Sequence, residues 1–109
     1  MPEDSPSDRI NDKREYYRLV YLEEERPVLK IGRHAFRVMD ISQGGLRFLN
    51  PKTVRLDEWV KGKLSLSCGE IIPLEGRIEW MHDDEFGLLL DTPISATAME
   101  KERLYLFHP

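Results

Sequence analysis

Two short stretches of this chain hold side chains whose types and spacing suit the grip of an anionic, hydrogen-bonding small molecule. The first is Arg14-Glu15-Tyr16-Tyr17-Arg18, directly preceded by Lys13. The second is Asp40-Ile41-Ser42-Gln43-Gly44-Gly45. An arginine fork donates in a plane and keeps its charge, so it can hold a phosphate bidentately or the O6/N7 edge of a guanine. An ionised Asp40 only accepts, which matches the N–H donors of a base edge. Ser42 can donate to a phosphate or a base, or close the turn itself. Gly44 and Gly45 are expected to supply positive φ and close approach of backbone to ligand.

Each stretch also has a plainer reading. Arg14 and Arg18 alone describe a solvated charged surface that Glu15 partly neutralises. Asp40 and Ser42 before a glycine pair can be turn residues bonding to their own backbone. What places them is the run of elements around them. Residues 1–8 are polar with two prolines and read as a disordered lead-in. Dense mixed charge follows over 9–18, and a strand is expected from near Tyr17 through Leu22. Val28 to Ile31 reads as a return strand and Gly32-Arg33 as a tight hairpin. From His34 to Ile41 the pattern has a period of two, with Phe36 and Val38 on one face and Arg37 and Met39 on the other. The Ser42 to Gly45 break ends that strand, and Leu46 to Leu49 resumes extended structure up to an Asn50-Pro51-Lys52 turn. Lys63 to Ser67, Ile71 to Met81 and Phe86 to Leu90 complete the set, with His82-Asp83-Asp84-Glu85 as a turn. About six or seven short strands between turn signals predict an antiparallel sheet closed into a barrel. After Pro93 the composition changes, and a helix is expected within 92–107, capped by Thr92 or Ser95 with Pro93 in its first turn. Its apolar spacing is imperfect.

The two motifs, in this order and ahead of a barrel-like run of strands, resemble the PilZ domain family. Its signature is Arg-x-x-x-Arg followed, some tens of residues later, by Asp/Asn-x-Ser-x-x-Gly, and every signature position is occupied here. The likeness extends from about Asp12 onward, through Ile78-Glu79-Trp80 and the C-terminal helix. It implies a mainly β fold, a six- to seven-stranded antiparallel PilZ-type barrel with a C-terminal helix, as one domain over 9–109. It also implies binding of the bacterial second messenger cyclic di-GMP without catalysis. On that reading Arg14 and Arg18 take phosphate and guanine contacts, Asp40 and Ser42 recognise guanine, and Gly45 shapes the turn. Lys13, Gly44 and Trp80 are secondary candidates. The Trp80 ring can stack on a guanine face, although a core or rim aromatic is the plainer expectation. Lys13 bears on whether one ligand or a stacked pair binds, because lysine keeps charge but lacks the planar fork. The arm over 9–18 is expected to fold over the barrel on binding and so to present a new surface to a downstream protein. Some family members lack the arginine arm and act as protein-interaction adaptors; this chain keeps it.

Composition bounds the other classes. A net charge of -4 argues against a general nucleic-acid binder, yet leaves room for a local arginine cluster acting on a small anion. His34, His82 and His108 are scattered, and no nucleophile–base or metal-ligand spacing accompanies them, so no catalytic or metal site and no cofactor is expected. Cys68 is a single thiol without a partner for a disulfide. The N-terminus lacks the basic and apolar regions of a signal peptide, and no apolar run reaches the ~18 residues of a membrane span. A cytoplasmic monomer or weak homodimer is the expectation.

Overall fold

The structure, a computed structural model, describes residues 17–107. Residues 1–8, Lys13 and Arg14 therefore lie outside the described residues, as does most of the 9–18 arm. Seven strands follow one another: β1 (Leu19–Val20), β2 (Val28–Ile31), β3 (His34–Ile41), β4 (Gly45–Leu49), β5 (Trp59–Ser65), β6 (Ile71–His82) and β7 (Glu85–Leu90). One helix, α1 (Ala96–Leu106), comes last. All pairings are antiparallel, in the order β1-β3-β2-β5-β6-β7-β4, and β3 pairs with β4 to close the last six into a barrel. Closure removes the unpaired edges that a sheet of this size would otherwise present. β1 is the extra strand, joined to the end of β3 through Leu19↔Ile41 and Val20↔Asp40.

Alternation builds the interior. Phe36, Val38, Leu46, Phe48, Phe86 and Leu88 point inward and are buried. Phe36, Phe48 and Phe86 pack in series, with ring centroids 5.2 and 5.5 Å apart and tilted planes, the arrangement that aromatic quadrupoles favour. Their neighbours Arg37, Arg47 and Glu85 fall on the other face. The Gly32-Arg33 hairpin forms as expected, with Gly32 at φ 62°.

Three boundaries differ from the sequence expectations. The first strand is only Leu19–Val20: Tyr21 keeps one bond to β3, from its amide to the Met39 carbonyl at 3.0 Å, and Glu23–Glu25 then wind into a 3₁₀ turn. β5 begins at Trp59, earlier than the alternation from Lys63 suggests, since Gly62 interrupts the pattern where the Lys30 carbonyl approaches. The helix starts at Ala96: the Ser95 hydroxyl accepts from the Ala98 amide at 3.0 Å, so Ser95 is the cap and Pro93 precedes it.

Candidate ligand-binding site

Asp40 is the centre of the signature region, and a bulge puts it there. Phe36 and Val38 face the core, so strict alternation would send Asp40 inward too. The β3–β4 register shifts between Val38 and Asp40, after which Ile41 faces Leu46 in the core and Asp40 faces Arg47. An extra residue in one strand re-aims the side chains beyond it. Asp40 is nevertheless fully buried, at 0% exposure, because two guanidinium groups cover it. Arg18 Nη1 donates to Oδ1 at 2.6 Å. Arg47 donates to Oδ2 through Nε at 2.6 Å, and its Nη2 forms an ion pair with the same oxygen at 2.5 Å. A third Arg47 nitrogen, Nη1, reaches Glu85 Oε1 at 3.3 Å. The hydrogen bonds to Asp40 raise the Arg47 pKa above its ordinary value, against the opposing effect of burial.

Ser42 closes the turn, one of the roles expected of it, whereas the glycines lack the positive φ expected of them. Ser42 is buried and closes the turn on Gly45: its amide and its hydroxyl both donate to the Gly45 carbonyl, at 2.8 and 3.2 Å. Neither Gly44 nor Gly45 has positive φ; among described glycines only Gly32 and Gly69 do. Gly45 is required instead by the neighbouring strand, since a Cβ there would sit 2.6 Å from the Leu88 carbonyl oxygen. Gly44 has open space around it. The turn is also tied to the segment ahead of α1, because Gln43 Nε2 donates to the Ile94 carbonyl and the Ile94 amide donates back to Gln43, both at 2.8 Å.

Trp80 enters by a second bulge. The β6–β7 register shifts between Ile78 and Trp80, and Trp80 comes opposite Gly87. Its indole lies across that glycine so closely that a Cβ at Gly87 would overlap the ring. At 40% exposure Trp80 is neither a core residue nor free of the barrel. Trp59, the other tryptophan, has its face covered by the Arg77 guanidinium 5.7 Å away.

These features share one groove of about 590 Å³, walled by Arg18, Asp40, Ser42, Gly44, Gly45, Arg47 and Trp80, with Glu79 and Leu89 at its edge. Five residues singled out in the sequence and described by the structure, together with Trp80, are thus brought together. Arg47 and Glu85 were missed. Arg47 had a signal: it sits between the inward residues Leu46 and Phe48, on the strand after the turn, so it had to face outward beside β3. A larger groove of about 910 Å³ crosses β2, β5 and β6, lined by Lys30, Lys61 and Lys63 with Glu75 and Asp91. It holds no guanidinium and no buried acceptor, and Lys61 is engaged with Glu75 at 3.6 Å, so it lacks the directional donors of the first groove.

Arg18 of the first signature motif thus meets Asp40 of the second behind a tight Ser-closed turn on a six-strand barrel, with Arg47 joining them from β4. A family model, PilZ domain, matches residues 12–108. The chain belongs to the PilZ domain family. No curated protein matches it. The match spans nearly the whole 109 residues and takes in both motifs, the barrel and α1.

Proposed function

We propose that this PilZ domain is a non-catalytic receptor for cyclic di-GMP, bound in the groove between the Ser42–Gly45 turn and Trp80. The observation that supports it most is the convergence of Arg18, Asp40 and Ser42, 24 residues apart from first to last in sequence, on one concave wall beside a half-exposed indole. Arg18 offers Nε and Nη2 beyond its single bond to Asp40, enough for a phosphate or a guanine O6/N7 edge. Trp80 offers an aromatic face for a base, a contact of about 1–3 kcal/mol. Arg14 and Lys13 would add charge from the arm, and Gly44 leaves room beside the turn.

Four or five charge-assisted bonds of about 1.5–3 kcal/mol each, with base stacking added and an association cost of about 4–15 kcal/mol set against them, fall short of extreme affinity, and submicromolar to micromolar binding, near about -8 to -10 kcal/mol, is expected. That range suits a sensor. Binding rearranges the arm from Arg9 to Arg18 on the barrel, and the altered surface is read by a downstream protein in the cytoplasm. Isothermal calorimetry with cyclic di-GMP, with GMP as control and Arg18→Ala alongside, tests the reading. Saturable binding that the substitution weakens by about thirty- to a hundredfold is expected, and the fitted ratio gives one ligand or two per chain. No heat at tens of micromolar ligand would leave the adaptor role, in which the barrel meets a protein partner without nucleotide.

A further inference from the structure

Asp40 has no exposed surface beneath Arg18 and Arg47, so a guanine reaches it only if one of the two arginines moves aside. Resting on the cyclic di-GMP reading, we infer that binding is an exchange in which Arg18 leaves Asp40 and Arg47 stays, so Arg47 is a positioning residue of the site. The two guanidinium groups are unequal. Arg18 holds Asp40 by one nitrogen on one oxygen, Oδ1. Arg47 is bracketed: Nε and Nη2 hold Oδ2, and Nη1 reaches Glu85 on the neighbouring strand. Arg18 comes from the chain just ahead of the two-residue β1, whereas Arg47 lies mid-strand in β4, paired to both β3 and β7. The Arg47 side chain is also the less exposed, 36% against 49%.

Charge explains why one must stay. Asp40, Glu85, Arg18 and Arg47 together sum to zero. If Arg18 turns to a ligand phosphate or guanine edge, Asp40 loses one cation while remaining in a site with little water. A buried carboxylate that loses both of its cations, with no fixed neutral donors to replace them, is strongly disfavoured. Arg47 on Oδ2 keeps the carboxylate paired, and Oδ1 becomes free to accept from the guanine N1–H and amino group. Arg18 and the base edge thus trade places on a single oxygen. Arg47 holds the other oxygen still and touches Asp40 rather than the ligand.

The test compares cyclic di-GMP affinity of the full chain with that of R47M and R47K, and of D40N with and without R47M. R47M leaves Arg18 as the sole cation on Asp40, so Arg18 is held there and affinity falls on the order of thirtyfold. R47K, which keeps the cation, recovers most of that loss. In the D40N background there is no carboxylate to compensate, so adding R47M changes affinity by less than about twofold. A full thirtyfold loss in that background would mean that Arg47 touches the ligand directly, and would overturn the exchange. Side-chain ¹⁵N spectra of the full chain at saturating ligand give an independent reading: the Arg18 Nε–H resonance moves and the Arg47 Nε–H resonance keeps its protection from solvent exchange. Should R47M fold poorly, these spectra decide alone, and a larger shift at Arg47 than at Arg18 would reverse the assignment. Wild-type binding with unchanged R47M affinity would sink the exchange only. No wild-type binding would sink the nucleotide reading as well.

Discussion

Two carboxylates in this barrel are wholly buried, Asp40 on β3 and Glu102 on α1, and they are satisfied in opposite ways. Glu102 accepts from neutral donors: the Tyr21 hydroxyl at 2.6 Å and the backbone amides of Ser67 and Cys68 at 3.0 and 2.9 Å. Those amides belong to the turn after β5, and Tyr21 follows β1, so one side chain ties the helix to two distant parts of the barrel. None of these donors can swing away without breaking local structure. Asp40 is held by two long, partly exposed arginines that can. A buried acceptor met by fixed neutral donors anchors a fold, whereas one met by movable cations can exchange partners.

Glu102→Ala should produce the largest effect. It leaves two part-buried amides and a buried phenol without their acceptor, at about 1 kcal/mol or more each, and total destabilisation on the order of 3 kcal/mol is expected from denaturant unfolding. Arg18→Ala should come next and in a different observable. Cyclic di-GMP affinity falls by about 2–3 kcal/mol, while stability changes by less than about 1 kcal/mol because Arg47 still pairs with Asp40. A loss of stability from Arg18→Ala matching that from Glu102→Ala would break the contrast, since Asp40 would then be an anchor too.

Tyr21→Phe sharpens the anchor side. It removes one buried hydrogen bond for about 1 kcal/mol at neutral pH. Burial, then the hydrogen bond to Glu102, pushes the Tyr21 pKa well above its ordinary value. Below about pH 10 the phenol is protonated in both folded and unfolded chains, and its contribution is fully present. Above that the unfolded chain loses the proton and the folded one keeps it, so stability declines as pH rises. Tyr21→Phe lacks this proton, and its decline above pH 10 should be shallower by up to about 1.4 kcal/mol per pH unit. Equal slopes in the two proteins would show that the hydroxyl is not held as described.

The contrast also explains which parts were legible in the sequence. The barrel was, because inward residues such as Phe36, Val38, Leu64 and Leu66 alternate with polar ones and turns carry their own residue types. The signature residues were, because their order and types are local. The bulges were not: a register shift at Met39 or Glu79 depends on the neighbouring strand, and strict alternation misplaces Asp40 and Trp80. Glu102 was hidden for a related reason. It occupies a core-facing position of α1 beside Ala98 and Met99, which made the apolar spacing look defective when the helix was in fact meeting polar donors. Gly45 was expected to supply positive φ, whereas the demand for glycine there comes from the Leu88 carbonyl of the neighbouring strand.

The smallest expected effect concerns the aromatic wall of the groove. Gly87 offers no side chain beneath Trp80, and a Cβ added there would overlap the indole. The overlapping atoms belong to the ring of a half-exposed side chain, so Gly87→Ala should tilt the indole outward rather than disrupt the β6–β7 ladder. Stability should change by less than about 1 kcal/mol. Trp59 lies under Arg77 and serves as a constant background, so the shift in tryptophan emission reports on Trp80. If the indole stacks on a guanine, Gly87→Ala and Trp80→Ala should weaken cyclic di-GMP binding alike, by about 1 kcal/mol, the low end for a stacked base. Unchanged affinity in both would make Trp80 a rim aromatic that shields the Asp40 cluster from water, and would place ligand recognition wholly on the arginine side of the groove.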